Sequence, residues 1–213
     1  MIDKLMLYAY RIMAIFIPAL IILYVVLHTG ILPDNDYWGI LGQILTNEGF
    51  THSFSSWLSR ANEHIVVIPK VIFALNILLT HGNNTSLSLI TWSIALVQVL
   101  LLITIIPPEI WNSRIKGTLL LLIISMFIFT PKAMHNWTLG MSGIMWITAN
   151  LFIVASVISI YRFYASKQIG WLLGSLIAGL VSSFCYSTSL ALWPALLIGG
   201  VLLRFKMHHL ILI

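Results

Sequence analysis

Residues 65–80 read IVVIPKVIFALNILLT and run into His81-Gly82-Asn83-Asn84. The segment is apolar but holds Pro69, Lys70 and Asn76. At 16 residues it is shorter than the roughly 20 that a membrane-spanning helix needs. Whether it crosses a bilayer or lies along it decides which way every later loop faces.

The bilayer itself follows from composition. Of the 213 residues, 60% are hydrophobic and only 8% charged, with a mean hydropathy of +1.00. A soluble domain carries roughly 25% charged residues, so this chain lacks the polar groups to cover itself in water. Further apolar runs lie at about 12–32, 87–106, 115–130, 144–161, 169–185 and 188–203. The expected fold is all-α, a polytopic membrane bundle forming a single transmembrane domain over 1–213. The first run follows Lys4 and Arg11 without a small-residue cleavage site and reads as an uncleaved anchor. The lone cysteine, Cys185, permits no internal disulfide. The net charge of +5 is not a nucleic-acid signal, because the basic residues flank apolar runs singly and form no patch.

Charge then settles segment 65–80. With every run spanning and the N-terminus cytoplasmic, Arg60, Arg114, Lys116, Arg162, Lys167, Arg204 and Lys206 would all lie outside. That is seven basic residues outside against three inside, the reverse of the positive-inside bias. With 65–80 lying in the interface, eight fall inside, and only Arg60, Lys70 and Lys132 remain outside. The reading is six spans plus one extracytoplasmic interfacial helix over 65–80. Three segments then share the outer face: loop 33–64 with helix 65–80, loop 131–143, and the turn Tyr186-Ser187-Thr188-Ser189.

Chemistry concentrates in the first of these. Four of the six acids, Asp34, Asp36, Glu48 and Glu63, fall within loop 33–64. Asp36 opens a short amphipathic segment ending near Gly49. It is either an N-cap or a carboxylate that takes a proton from an acceptor hydroxyl, and Asp34 is an equal candidate. Asn62-Glu63-His64 precedes the interfacial helix, with Asn62 as its cap or with Glu63 and His64 facing a substrate. Lys70 either snorkels to the headgroups or neutralises a lipid phosphate, and Arg60 and Lys132 can do the latter too. His135 is the polar candidate in the second outer loop. No spacing among these residues matches a metal site, so none is expected.

The order of these features resembles the GT-C membrane glycosyltransferases. Members that use polyprenyl-phosphate sugars carry an Asp-rich first outer loop, a Lys-Pro-containing juxtamembrane helix and a Gly-Asn pair before the next span. Here these are Asp34-Asn35-Asp36-Tyr37-Trp38, Ile68-Pro69-Lys70 and Gly82-Asn83-Asn84. Asn136-Trp137-Thr138-Leu139-Gly140 and Leu190-Ala191-Leu192-Trp193-Pro194 are similar to later segments of the family. The resemblance implies a bacterial inner-membrane enzyme, or its N-terminal module. Its donor would be a polyprenyl-phosphate-linked sugar with no further cofactor, and its acceptor would be extracytoplasmic. Asp36 or Asp34 would be the base; Asn62, Glu63, His64, Arg60, Lys70, Lys132 and His135 would bind substrate. The alternative is a non-enzymatic translocase of lipid-linked sugars or a membrane subunit. A translocase calls for polar groups at mid-membrane depth, where Gln98 and Asn150 are the clearest.

Overall fold

The computed structural model describes residues 2–33 and 35–213. The fold is all-α, 77% helix with 4% strand. In chain order the elements are α1 (Ile2–Leu27), α2 (Asn35–Leu41), β1 (Leu45–Thr46), β2 (Gly49–Phe50), α3 (Phe54–Leu58), β3 (Arg60–Ala61), β4 (His64–Ile65) and α4 (Val67–Thr80). They continue with α5 (Asn84–Ile103), α6 (Pro108–Trp111), α7 (Arg114–Ile128), α8 (Met134–Thr138), α9 (Gly140–Ser166), α10 (Ile169–Ser183), α11 (Leu192–Leu202) and α12 (Met207–Leu212). Four stretches are long and apolar enough to cross a membrane: Leu5–Leu27, Asn84–Ile103, Arg114–Thr138 and Gly140–Ser166. Val67–Thr80, Ile169–Ser183 and Ser187–Leu202 are apolar but shorter.

The chain forms two compact units, residues 1–34 with 76–147 and residues 35–75 with 148–213. In the first, α1 packs on α5 and α7 around Ala19, Ile22, Val26, Ala95, Val99 and Leu121. Pro18 within α1 removes a backbone donor and loosens its turn. On either side of it, Ser125 Oγ donates to the Ile15 carbonyl and Trp92 Nε1 to the Ala19 carbonyl, both at 2.8 Å. Neighbouring helices thus supply the donors that hydrocarbon cannot.

The same unit is tied at one end by Asn84. Its Nδ2 donates to the carbonyls of Gly30 and Thr138 at 2.9 Å each, and its Oδ1 accepts from the Gly140 amide at 2.8 Å. Its own amide donates to the Ile31 carbonyl at 2.9 Å. Only glycine permits this approach. A Cβ on Gly140 would lie 2.9 Å from the Asn84 oxygen and the Ser88 nitrogen, and one on Gly143 would lie 2.6 Å from Thr91 Cγ2. These are the close backbone crossings that small residues allow in membranes.

In the second unit, Ile160, Phe163, Leu172, Leu192, Leu196 and Phe205 form the core. Serines join its helices: Ser156 Oγ donates to the Ser175 carbonyl at 2.8 Å and Ser182 Oγ to the Ala149 carbonyl at 3.0 Å, linking α9 to α10. Trp193 Nε1 donates to Ser183 Oγ at 3.0 Å, linking α11 to α10.

The Asn84 amide donates to the Ile31 carbonyl, so the chain leaves and re-enters the first unit at one place. Helix α4, at 14 residues, is shorter than the four stretches long enough to cross a membrane. His64 and Ser187 also touch. Helix α4 ends where His81 and Gly82 take positive φ, 55° and 78°, and Asn83 Oδ1 caps α5 by accepting from the Ser86 amide at 3.2 Å.

Single cysteines at Ser55, His81 and Lys132, in a Cys185→Ser background, will react with an impermeant thiol reagent from one side of sealed vesicles. Cysteines at Asn112 and Ala165 will react from the other. Labelling of His81→Cys together with Asn112→Cys would mean that α4 spans. Asn84→Leu removes three buried hydrogen bonds while nearly preserving volume, and a loss on the order of 3 kcal/mol is expected, read as a lower midpoint in thermal unfolding in detergent.

Candidate functional site

The outer loop expected from the sequence is a folded cap of short elements within the second unit. Helix α2 buries Tyr37, whose ring meets Trp38 and the α4 residue Phe73 edge-on, each at 5.1 Å. Burial pushes the Tyr37 phenol up to about 12. Asp36 is exposed in the first turn of α2, so it is not the N-cap that one reading of the sequence gave it. Asp34 lies outside the described residues. The helix stops at Leu41 and does not reach Gly49. There a hairpin intervenes, pairing Leu45 with Phe50 and Thr46 with Gly49, and Gly49 holds φ 113°.

A second hairpin corrects the reading of Asn62. Arg60 pairs with Ile65 and Ala61 with His64, leaving Asn62 and Glu63 as the turn. Asn62 has φ 54°, a left-handed conformation that asparagine tolerates better than most residues. It caps no helix, since α4 begins at Val67. Glu63 is exposed at the hairpin tip, as is Arg60 on its first strand.

The hairpin delivers His64 to the turn after α10. His64 Nδ1 shares a hydrogen bond with Ser187 Oγ, and its ring lies 4.0 Å from that of Tyr186, tilted by 32°. Close by, the Ile68 amide donates to the Phe184 carbonyl at 3.2 Å. The topology had put the turn 186–189 on this face. Ser187 and Tyr186 were not singled out as site residues, and the one signal for them was a polar cluster between two apolar runs. Adjacent Cys185 is fully buried.

Lys70 has a different place from either expectation. It neither snorkels to the surface nor opens to a phosphate, because its side chain is fully buried. Its Nζ donates to the carbonyls of Ser59 (2.7 Å), Ser56 (3.0 Å) and Trp57 (3.3 Å), and to Ser59 Oγ (2.9 Å). The ammonium thus gathers carbonyls at the C-terminal end of α3, of which that of Ser56 also accepts from the Ser59 amide and Oγ. Ser59 Oγ lies 2.7 Å from Gln43 Oε1, to which it donates, and Gln43 Nε2 donates to the Arg60 carbonyl at 3.0 Å. Burial holds the Lys70 ammonium below the ordinary lysine range.

Lys132 and His135 belong to the other compact unit. Both are exposed, on the turn Pro131–Ala133 and on α8, where Trp137 Nε1 donates to the Thr130 carbonyl at 3.0 Å. Among the described residues no group of three or more His, Cys, Asp or Glu is placed to hold a metal ion. The site therefore consists of exposed carboxylates (Asp36, Glu63), an exposed guanidinium (Arg60) and a half-buried imidazole (His64) on a cap pinned by Lys70. Comparison of the chain with protein-family models, with curated proteins and with solved structures finds no match.

Lys70→Met takes the ammonium donor from the Trp57 and Ser59 carbonyls and one of three donors from that of Ser56. It is expected to cost about 3 kcal/mol in local stability. The check is amide hydrogen exchange across residues 53–61, which will accelerate strongly while exchange in α9 and α10 stays unchanged. Equal protection in the variant would remove the pinning role.

Proposed function

We propose that this chain is a membrane glycosyltransferase of GT-C type that works at the extracytoplasmic surface of a bacterial inner membrane, with its N-terminus cytoplasmic. The donor would be a sugar on a polyprenyl phosphate and the acceptor a hydroxyl. The observation that carries the reading is the excursion 31–83. An acid-bearing loop folds over an apolar helix of 14 residues, and the chain closes on itself where the Asn84 amide meets the Ile31 carbonyl. Such an arrangement holds polar chemistry beside a lipid whose chain remains in hydrocarbon.

The chemistry follows from the groups available. The acceptor oxygen attacks the anomeric carbon and its proton passes to the carboxylate of Asp36, the exposed acid of the first loop. The bond from that carbon to the lipid phosphate breaks, the electron pair stays on the phosphate, and the carbon inverts. A phosphate leaves without a proton but gains negative charge, which Arg60 neutralises electrostatically. Glu63 and His64 orient the acceptor, with Asn62 turning the hairpin that presents them. Lys70 acts through the cap's shape and not on the phosphate. Lys132 and His135 are exposed in the other compact unit and take no assigned step here.

The test uses the full chain in liposomes with polyprenyl-phosphate-linked hexoses and pentoses. Asp36→Asn is expected to lower turnover by roughly 10²–10⁴ and to leave donor binding intact, whereas Arg60→Gln weakens transfer without abolishing donor partition. Unchanged transfer in both Asp36→Asn and Asp34→Asn would remove the general-base assignment. Sugar movement across the bilayer without transfer would favour a translocase.

A further inference from the structure

Within the second unit, positive charge collects where α9 and α11 end and α12 begins. Residues 148–213 hold Arg162, Lys167, Arg204, Lys206, His208 and His209 and no aspartate or glutamate. Ring contacts draw these segments together. Phe163 meets Phe205 at 5.2 Å and His209 at 4.9 Å, both edge-on, and Tyr164 lies 6.4 Å from Phe205. Lys167 Nζ sits 4.4 Å from the Tyr164 ring centre, and the Arg162 guanidinium 4.9 Å from that of Trp171. Arg204 and Lys206 flank Phe205 and are exposed. Partial burial, and then the charges of His208, Lys206 and Lys167, hold the His209 imidazole below its ordinary range. Two of the cations stand where a helix commonly ends on glycine: Lys167 follows α9 with φ 58° and Arg204 follows α11 with φ 55°. A groove of about 300 Å³ between α9 and α11 opens at this end. Val157, Ile160, Ala195 and Leu196 line its length, and Tyr161 and Leu203, neighbours of Arg162 and Arg204, line its basic end. It follows α11 from Leu192 to Gly200, about 12 Å.

We propose that the α9–α11 groove binds an anionic phospholipid of the bilayer, with one acyl chain along Ala195 and Leu196 and its phosphate at Arg204, Lys206 and Lys167. The shape asks for an apolar chain, because water gains no hydrogen bonds along these walls. The charge asks for an anionic head, since basic pockets between membrane helices recognise such headgroups. No carboxylate side chain of these helices neutralises the cluster, and an aromatic ring beside a cation leaves its charge in place. Basic side chains do favour helix C-termini. That effect asks for no cation at the left-handed position itself, where glycine is easier. The acids of this unit, Asp36, Glu48 and Glu63, belong to the cap. The cap bonds to Phe184 and Ser187, beyond the far end of the 15-residue α10. The phosphate of a donor lipid used there would lie at the opposite end of α10, so the inference stands whether or not the chain is a transferase.

The experiment is lipid retention by the purified full chain, delipidated and titrated with dioleoyl phosphatidylglycerol, dioleoyl phosphatidylcholine or polyprenyl phosphate, with stoichiometry read by native mass spectrometry. One phosphatidylglycerol per chain is expected to saturate, in clear preference to phosphatidylcholine. Arg204→Gly and Lys206→Gln should each weaken that preference about fivefold, and together roughly 30-fold. Arg204→Gly also relieves a left-handed residue, so the lipid-free unfolding midpoint should not fall. Lys116→Gln, the same loss of charge on the other unit, should change nothing. A Cβ at Gly199, on the groove wall, meets nothing within 4 Å. Gly199→Phe, or Ala195→Trp should the first not fold, therefore fills the groove and should abolish phosphatidylglycerol retention while the circular dichroism spectrum is kept. Equal retention of the two phospholipids, or an unchanged preference in the Arg204 and Lys206 double variant, would overturn the proposal. Displacement of phosphatidylglycerol by equimolar inorganic phosphate would make this a site for a free anion and overturn it too. Tighter binding of polyprenyl phosphate would do the same by making the groove a donor site.

Discussion

The carboxamide of Asn84 is the constraint on which the rest depends. In hydrocarbon a free backbone donor or acceptor is costly, and irregular backbone survives only where protein supplies its partners. Asn84 supplies them for three chain segments at once: the end of α1, the start of α5 and the α8–α9 junction. Because Gly30 and Ile31 are bonded to Asn84, the chain closes on itself between α1 and α5. Pro69 and Lys70 sit in the apolar helix α4 that precedes this corner. Asn76 supports the same corner, with Nδ2 donating to Thr80 Oγ1 at 2.7 Å and to the Asn83 carbonyl at 3.1 Å.

Lys70 plays the corresponding role for the cap. A buried ammonium is tolerated only when its protons are taken up, and here the acceptors are neutral carbonyls and a hydroxyl. A carboxylate partner would have tied one of the few acids of the chain into structure. Using the carbonyls at the end of α3 instead satisfies the ammonium and the helix terminus together. It also leaves Asp36 and Glu63 exposed. The cap is held by a cation and its surface is left with acids.

How far the sequence was legible depends on the range of the signal. The helices were readable because apolar runs and basic flanks are local. The corner at Gly82-Asn83-Asn84 was recognisable as a motif, though the partners of Asn84 were not. Short elements failed for physical reasons. Asn62-Glu63 suits a helix cap and a left-handed turn equally, so local preference could not separate them. Lys70 looked like a surface cation because nothing in a sequence shows that loop residues 56–59 fold back over it. The pairing of His64 with Ser187, 123 positions apart, has no local signature at all. Only the crossing count put the two on one face.

The His64 contact also links the acid-bearing cap to the membrane helices that follow it. The hairpin 60–65 is too small to hold a fixed place alone, since an isolated two-stranded hairpin is marginal in water. Its position is set from both sides: at its start the Arg60 carbonyl accepts from Gln43, and at its end His64 meets Ser187 while Ile68 donates to Phe184. Glu63 and Arg60 therefore stand on an element fixed by long-range contacts, though neither is buried. In a chain with six acids, exposed charges on a hairpin anchored in this way have little to contribute to folding. Their most economical explanation is that they meet something outside the chain.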